Sequence, residues 1–300
     1  MTTPPMAWSN GKSAVSAASR PLLVALGLAW AVGCAGLSRG RPVSLTVAGS
    51  DTMLPLVTRW AMRFMETHPG VIVRVAGGGS AAGIEQLIAG RIDVCATSCP
   101  LSADEVSRLY ARFGTLGVTF RVAKDALAIF VNRDNPVRDL TTLQIKGIFT
   151  GRIRWWAKVG GVERPIRVLT RQPSSGTYRF FRELVLDGEP YAAWAEALPS
   201  TAQVAAEVAS DPDAIGYGGG AHGGNVVQCT VDGVAATPDN IRSDSYPLSR
   251  YLYLVTPRPP EGWVRQFIDW VLDEDGQRVV REAGFVPVVI RDPDPTPQPR

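Results

Sequence analysis

The chain of 300 residues is predicted to adopt an α/β fold. Strand patterns alternate with helix patterns over most of its length, which is typical of α/β proteins with mostly parallel sheets. Two of the strand patterns, at 125–132 and 251–256, are long apolar runs. With 45% hydrophobic and 20% charged residues, the composition is that of an ordinary globular protein, large enough for one large domain or two lobes.

The predicted elements follow from hydrophobic spacing. The strands, in chain order, are 43–48, 71–76, 91–96, 125–132, 165–170, 214–220 and 251–256. The helices are 52–67, one carrying Ile84, Leu87 and Ile88, one carrying Phe180, Phe181, Leu184 and Val185, and a closing pair within 263–284. No sequence repeat is present.

The first 33 residues predict an export signal, because Lys12 and Arg20 precede an apolar run that is too short for a permanent membrane span. The run ends in "AVGC", which is similar to a bacterial lipobox, so Cys34 is the expected lipid anchor; ordinary cleavage with an incidental Cys34 is the alternative. We expect an exported protein, lipid-anchored to a membrane and facing the periplasm or the cell exterior. Residues 34–42 would be a linker and residues 291–300 a disordered tail.

Charge and ligand residues argue against two classes of function. Lys12 and Arg20 supply two of the three net positive charges, so the remainder carries no nucleic-acid footprint. With two histidines and no CxxC pair, a metal site is not expected. Besides Cys34 there are three cysteines, which leaves at least one free thiol; a bridge between Cys95 and Cys99 would need a sharp local turn.

Three strand–helix units share a small polar loop: "AGSDT" (48–52), "AGGGSAAG" (76–83) and "RQPSSGT" (171–177). A helix N-terminus offers unpaired N–H groups, glycine lets the backbone approach closely, and hydroxyls add donors. Arg171 adds a permanent, bidentate charge. Because ligands bind beyond the carboxyl ends of strands in open α/β sheets, we expect the three loops to cage a small oxyanion. Each loop alone is more typical of a plain helix cap.

Other site types fit the sequence less well. Residues 77–82 match the dinucleotide fingerprint, but no acidic strand end follows about 20 residues on. A P-loop would need Lys and Ser or Thr after its last glycine. A serine hydrolase using Ser174 or Ser175 would need a placed base, whereas His68 and His222 lie in turn-like stretches and no G-x-S-x-G elbow occurs.

Six blocks resemble, in order, the periplasmic phosphate-binding proteins of ABC importers, the PstS family. They are "GSDTMLPLVTRWAMRF", "VAGGGSAAGIEQLIAGRIDVCATSCPLSADE", "IKGIFTGRIRWWAKVGG", "TRQPSSGT", "AIGYGG" and "YPLSRYLYLVT", and together they span about residues 45–290. The resemblance implies a type II periplasmic-binding-protein fold, a two-lobed Venus flytrap with mixed sheets flanked by helices and two crossover strands. Lobe one would be 43–123 plus 250–290, and lobe two 124–249.

The resemblance also implies the residues that bind phosphate, in the cleft between the lobes. They are Ser50, Asp51 and Thr52 from the first loop, Ser80 as the cap of the second helix, and Arg171, Ser175, Gly176 and Thr177 from lobe two, with Gly79, Cys99 and Ser174 as further possible contacts. No catalytic residue, metal or cofactor is implied.

Two positions depart from the family pattern. Where well-known members have an aspartate that accepts the proton of hydrogen phosphate, and others an arginine, this chain has Cys99; Pro173 stands where an acidic residue is common. A proton acceptor separates phosphate from sulfate, because sulfate has no proton to donate at neutral pH. Asp51 is the remaining carboxylate in these loops. It is either that acceptor or a helix cap that faces away from the anion.

The expected function is that of a monomeric binding protein which captures inorganic phosphate outside the cell and delivers it to an ABC permease in the membrane. A binding protein for another, sulfate-like oxyanion and an anion-sensing lipoprotein without a transporter are alternatives. A serine-dependent phosphatase is the least favoured.

Overall fold

The computed structural model describes residues 43–288, apart from Gly223 and the side chain of His222. The predicted signal, Cys34, the linker and the tail therefore lie outside the described residues. Within them, no helix combines the length and the apolar character that crossing a membrane requires.

Strands and helices alternate through the described chain, so the predicted α/β class is confirmed. The strands are β1 (Val43–Gly49), β2 (Val71–Ala76), β3 (Val94–Thr97), β4 (Val118–Val131), β5 (Asp139–Leu140), β6 (Arg167–Arg171), β7 (Glu196–Leu198), β8 (Ala214–Gly219), β9 (Val227–Val231) and β10 (Ser249–Thr256). The helices are α1 (Leu54–Thr67), α2 (Ser80–Ile88), α3 (Ala103–Phe113), α4 (Thr142–Phe149), α5 (Gly176–Leu184), α6 (Thr201–Ser210), α7 (Pro238–Arg242), α8 (Gly262–Leu272) and α9 (Glu274–Glu282).

Local sequence explains where several of these helices begin and end. Ser102 with Glu105, and Thr141 with Gln144, form capping boxes at the starts of α3 and α4. Gly114 ends α3 in the left-handed conformation, which glycine adopts without strain. The predicted helix 52–67 begins later, at Leu54, because residues 51–53 form a turn after β1.

The described strands join into one mixed sheet in the order β2-β1-β3-β10-β4-β8-β6-β7, with β9 beside β4 and β5 beside β9. Pairing is parallel within β1–β3 and within β6–β8, as the sequence predicts. The pairings of β10 and β4 with each other and with β3 and β8 are antiparallel. The expectation of mostly parallel sheets is therefore wrong for the centre, where β4 and β10 connect two parallel groups.

The long strand β4 runs through both groups. Residues Val118–Ala126 pair with β10, and Leu127–Val131 pair with β8. The predicted strand 125–132 is only the second part of this element, because the first part, from Val118, alternates buried and exposed side chains and lacks a continuous apolar run.

The described chain has two large hydrophobic clusters. β4 contributes residues to both, and its residues change from one cluster to the other near the middle of the strand. Val122 and Ala123 pack in one cluster with α1, α8 and α9, whereas Ala126 and Leu127 pack in the other with α4 and α5. Val286 packs in the same cluster as Ala126 and Leu127, although the predicted boundary assigns Val286 to lobe one. The names lobe one (43–123 and 250–288) and lobe two (124–249) are kept below for this division, which remains a proposal.

The cysteines within the described residues, Cys95, Cys99 and Cys229, are buried free thiols. Burial raises the pKa of Cys95 and Cys99, and raises that of Cys229 to about 12, so all three stay protonated at neutral pH.

Candidate functional site

The three polar loops predicted to form the site lie together between the lobes. Thr52 Oγ1 of the first loop is 2.9 Å from Thr177 Oγ1 of the third. The N–H of Ala81, in the second loop, donates to the carbonyl oxygen of Ser174 at 3.1 Å. These contacts join segments more than 90 residues apart, so the fold brings the predicted residues to one place.

The first loop turns sharply after β1. Gly49 has a φ of 139°, and a side chain there would collide with the carbonyl oxygen of Ala96 on β3. Asp51 does not cap α1, whose N-cap is Met53. Instead, Asp51 Oδ1 accepts the N–H of Gly78 at 2.8 Å, and Oδ2 is 3.9 Å from Arg171 Nη2. Of the two interpretations of Asp51, the outward-facing helix cap is therefore wrong.

The second loop places Ser80 at the first position of α2. Gly79, with a φ of 91°, is the N-cap, so the prediction that Ser80 caps this helix is wrong. The Ser80 hydroxyl instead accepts the N–H of Ser98 at 3.2 Å and lies 3.4 Å from the Ser98 hydroxyl. Ser80 is fully buried, and its hydroxyl contacts the end of β3.

The third loop caps its own helix through Ser175, whose Oγ accepts the N–H groups of Thr177 at 3.2 Å and Tyr178 at 3.5 Å. The Ser175 hydroxyl proton is not used by these bonds. Ser174 faces Gly79 across the cleft: a side chain on Gly79 would lie 2.7 Å from the Ser174 carbonyl oxygen. The start of α5 thus offers N–H and O–H donors towards lobe one.

Arg171, the last residue of β6, lies beside Asp51 of the first loop and is only 1% exposed. Nη1 donates to Thr201 Oγ1 at 2.9 Å, and Nη2 donates to the carbonyl oxygen of Pro199 at 2.8 Å. Nε is the one buried side-chain nitrogen or oxygen in the described part of the chain that has no hydrogen-bond partner. Burial lowers the pKa of this guanidinium, although arginine remains protonated in proteins.

Cys99 is buried, but its thiol does not meet the three loops. Its hydrogen-bonding neighbours are Thr97, with Oγ1 at 3.5 Å, and Arg179 of α5. Arg179 also pairs with Glu105 of lobe one at 2.7 Å and donates to the carbonyl oxygen of Pro100. Cys99 is therefore a neutral thiol beside an arginine from the other lobe.

Sequence reasoning missed four residues next to the cluster. Ser98 and Thr201 contact Ser80 and Arg171 as described above. Arg250 of β10 and Asp125 of β4, the two strands that connect the lobes and are called the crossover strands below, form a buried ion pair. Arg250 Nη1 also donates to Thr177 Oγ1 at 3.1 Å. A signal was present: Asp125 and Arg250 stand at the starts of the two long apolar runs, and buried charges are rarely left unpaired.

A surface cavity of about 720 Å³ lies elsewhere, lined by residues including Lys124, Gln228, Arg242 and Phe285. Lys124 Nζ is already bonded to the carbonyl oxygens of Ile241 and Arg242 and to Asp244. None of the predicted site residues is among the residues that line this cavity.

Comparison with known proteins shows which family the chain is similar to. A family model for the PBP superfamily domain matches residues 38–275. The phosphate-binding protein PstS of Bacillus subtilis is 33% identical over 249 residues, which are 82% of this chain and 81% of that protein.

Two solved structures have similar folds. A phosphate ABC transporter substrate-binding protein from Clostridium perfringens, with bound phosphate, is 30% identical with a TM-score of 0.76; the match covers 82% of this chain and 100% of that one. An ABC-type phosphate transport receptor from Vibrio cholerae is 30% identical with a TM-score of 0.70, covering 81% and 99%.

The fold and the enclosed cluster define a two-lobed substrate-binding protein. Within the PBP superfamily, the chain belongs to the family of the PstS phosphate-binding proteins.

Closure of the lobes leaves no room for a side chain at position 176. A Cβ on Gly176 would collide with Ser80 Oγ and lie 2.7 Å from Ser98 Oγ, both in lobe one. Gly176→Ala should therefore weaken anion binding by about tenfold to a hundredfold, the equivalent of the 1–3 kcal/mol that overpacking costs. Isothermal titration calorimetry with phosphate measures the change. Gly224→Ala, where a Cβ meets nothing within 4 Å, is the control and should bind normally; equal affinities for both variants would contradict the closed arrangement.

Proposed function

We propose that the protein captures inorganic phosphate in the cleft between its lobes and delivers it to the membrane permease of an ABC importer. The observation that carries the proposal is the meeting of three strand-tip loops, from both lobes, of which the third begins with the buried guanidinium of Arg171 and the first places Asp51 beside it. The names of the relatives support the ligand and the transport role.

The cluster can replace the water that an oxyanion loses on entering it. The unbonded Nε of Arg171 supplies a charged donor, and the hydroxyls of Ser80, Ser175 and Thr177 together with the start of α5 supply neutral ones. An anion held by many neutral dipoles and one full charge is stabilised without a metal ion. The proposed binding residues are thus Ser50, Asp51, Thr52, Ser80, Arg171, Ser175, Gly176 and Thr177.

Asp51 is the proposed acceptor for the phosphate proton. Its Oδ1 is used by the N–H of Gly78, whereas Oδ2 faces Arg171 at 3.9 Å, which is beyond hydrogen-bond length. Oδ2 can therefore accept a proton from hydrogen phosphate. A sulfate oxygen at the same place would face a lone pair and a negative charge with no proton between them.

The hydroxyls favour binding over hydrolysis. Ser175 Oγ is occupied in capping α5, and the ring of His68 stacks on Phe64 with centroids 4.0 Å apart, within lobe one. A nucleophilic serine needs a base within hydrogen-bond reach, and Ser175 is bonded instead to backbone N–H groups.

Export and lipid attachment complete the proposal. The basic and apolar leader followed by "AVGC" supports cleavage before Cys34 and a lipid anchor on it, with the binding lobes outside the cytoplasm. Release of the anion requires the lobes to separate about β4 and β10, which is a hinge motion.

Removing the charge should abolish capture. Arg171→Ala should lower the phosphate affinity by more than about a hundredfold, because charge-assisted hydrogen bonds are lost from a water-excluded site. Titration calorimetry with phosphate, sulfate and arsenate measures it. Arg167→Ala, on the same strand but paired with Glu196 at the surface, is the matched control and should bind normally. Undiminished phosphate affinity in a folded Arg171→Ala protein would refute the site.

Exchange of the proposed proton acceptor should change selectivity. Asp51→Asn should weaken phosphate by about tenfold while sulfate affinity stays level or rises, because an amide no longer repels an unprotonated oxygen. Competition titrations give the ratio. In Asp139→Asn the exchanged carboxylate also accepts a backbone N–H, from Gly233, but lies in lobe two away from the loops, so the ratio should be unchanged. Parallel losses for both anions with Asp51→Asn would remove the acceptor role.

Loss of the anchor should free the protein from membranes. Cys34→Ser should move it from the membrane fraction to the soluble extracytoplasmic fraction, because the lipid needs the Cys34 thiol. Fractionation and immunoblotting in the expressing cell show the shift, with Cys229→Ala as a control that keeps the anchor. Persistence of the Cys34→Ser protein in the membrane fraction would rule out lipidation at this residue.

A further inference from the structure

The crossover strands carry a buried ion pair next to Thr177, whose hydroxyl contacts that of Thr52 in the other lobe. Arg250 and Asp125 are register partners on β10 and β4, and their side chains are 0% and 2% exposed. Nε and Nη2 of Arg250 both donate to Asp125 Oδ2, at 3.0 and 2.7 Å. The pair is neutral as a unit, so neither charge depends on an anion for compensation.

The remaining nitrogen of this guanidinium contacts both lobes. Nη1 donates to Thr177 Oγ1 at 3.1 Å and lies 3.5 Å from the carbonyl oxygen of Ser98. Thr177 Oγ1 in turn lies 2.9 Å from Thr52 Oγ1. The series Arg250–Thr177–Thr52 therefore connects the crossover strands with the first loop of the site.

The direction of these hydrogen bonds follows from what each group can do. A guanidinium has donors and no acceptor, so Thr177 Oγ1 must present a lone pair to Arg250. Of the two protons on the Thr177 and Thr52 hydroxyls, one is used between the two oxygens. The other cannot point at Arg250 and is therefore free for a different acceptor.

We propose that Arg250 is a positioning residue that holds the hydroxyl pair of Thr52 and Thr177 as a donor towards the bound anion. The inference rests on the proposed function, since it assigns a role at the same site. Without Arg250, either hydroxyl can rotate and turn a lone pair towards the anion, which repels it. Asp125 fixes the guanidinium, and Arg250 acts through Thr177 rather than by contact with the ligand.

This arrangement divides the site into two corners of opposite character. The Thr52 and Thr177 corner only donates, so it suits an unprotonated oxygen. The Asp51 corner accepts, so it suits the protonated oxygen of phosphate. A tetrahedral anion with one proton is thereby bound in a defined orientation.

A double-mutant cycle on phosphate affinity tests the relay. Thr52→Val is combined with the paired substitution Asp125→Leu/Arg250→Met, which removes both buried charges together. Thr52→Val and the paired variant should each weaken phosphate by about tenfold. In the paired background, however, Thr52→Val should cost less than about threefold, because the hydroxyls it disrupts are no longer oriented. Thr177 is hydrogen-bonded to both Thr52 and Arg250, so it is the hydrogen-bonded connection through which this coupling is expected to pass.

Thermal unfolding without phosphate reports the effect on the fold separately from binding. The control is Lys124→Met/Asp244→Leu, which removes another partly buried ion pair of β4, 2.7 Å long, without touching the three loops. It should alter the melting temperature and leave phosphate affinity unchanged. If the paired Arg250 variant does not fold, Arg250→Lys replaces it in the cycle, because a single ammonium group keeps the charge beside Asp125 without the fork.

Additive losses, or unchanged affinity in a folded Arg250 variant, would overturn this inference while leaving phosphate binding by the unchanged protein intact. Failure of the unchanged protein to bind phosphate would overturn the proposed function and the inference with it.

Discussion

The guanidinium of Arg171 is withdrawn from water with one of its nitrogens, Nε, unbonded, and the proposed site depends on that charge. Thr201 and Pro199 hold two of its nitrogens from within lobe two. The carboxylate of Asp51, its nearest counter-charge from lobe one, stays at 3.9 Å. A buried charge that is only partly compensated favours an incoming anion and disfavours neutral solutes. The preference of the cleft for anions over neutral solutes thus comes first from the desolvation of the Arg171 charge and only second from the number of hydrogen bonds.

The central strands explain how so polar a cluster is kept rigid. β4 and β10 pass between the lobes as antiparallel neighbours, and the only charges that face the cluster from them, among the described residues, are the paired Asp125 and Arg250. Because that pair also contacts Thr177 and Ser98, the strands about which the lobes would move are bonded to the groups that would bind the anion. Movement of the lobes and the geometry of the site are therefore linked by hydrogen bonds a few ångströms long.

Local pattern predicted most of the elements and the three loops, because strand tips, glycines and hydroxyls are visible in the sequence. The features that the local pattern did not predict depend on tertiary contacts. The N-cap of α2 is Gly79 rather than Ser80, because the Ser80 hydroxyl accepts the N–H of Ser98, which directly follows β3. Asp51 turned to Gly78 instead of capping α1. The antiparallel centre of the sheet and the Arg250–Asp125 pair depend on residues 125 positions apart, a separation at which periodicity carries no information.

The lobes also meet main chain to main chain, through the bond from the Ala81 N–H to the Ser174 carbonyl oxygen. Because both atoms belong to the main chain, only proline at position 81 would remove the N–H donor, and other substitutions in the loops leave this contact between the lobes available. Substitutions of side chains in the polar loops can then change which anion is preferred, while this main-chain contact between the lobes is kept.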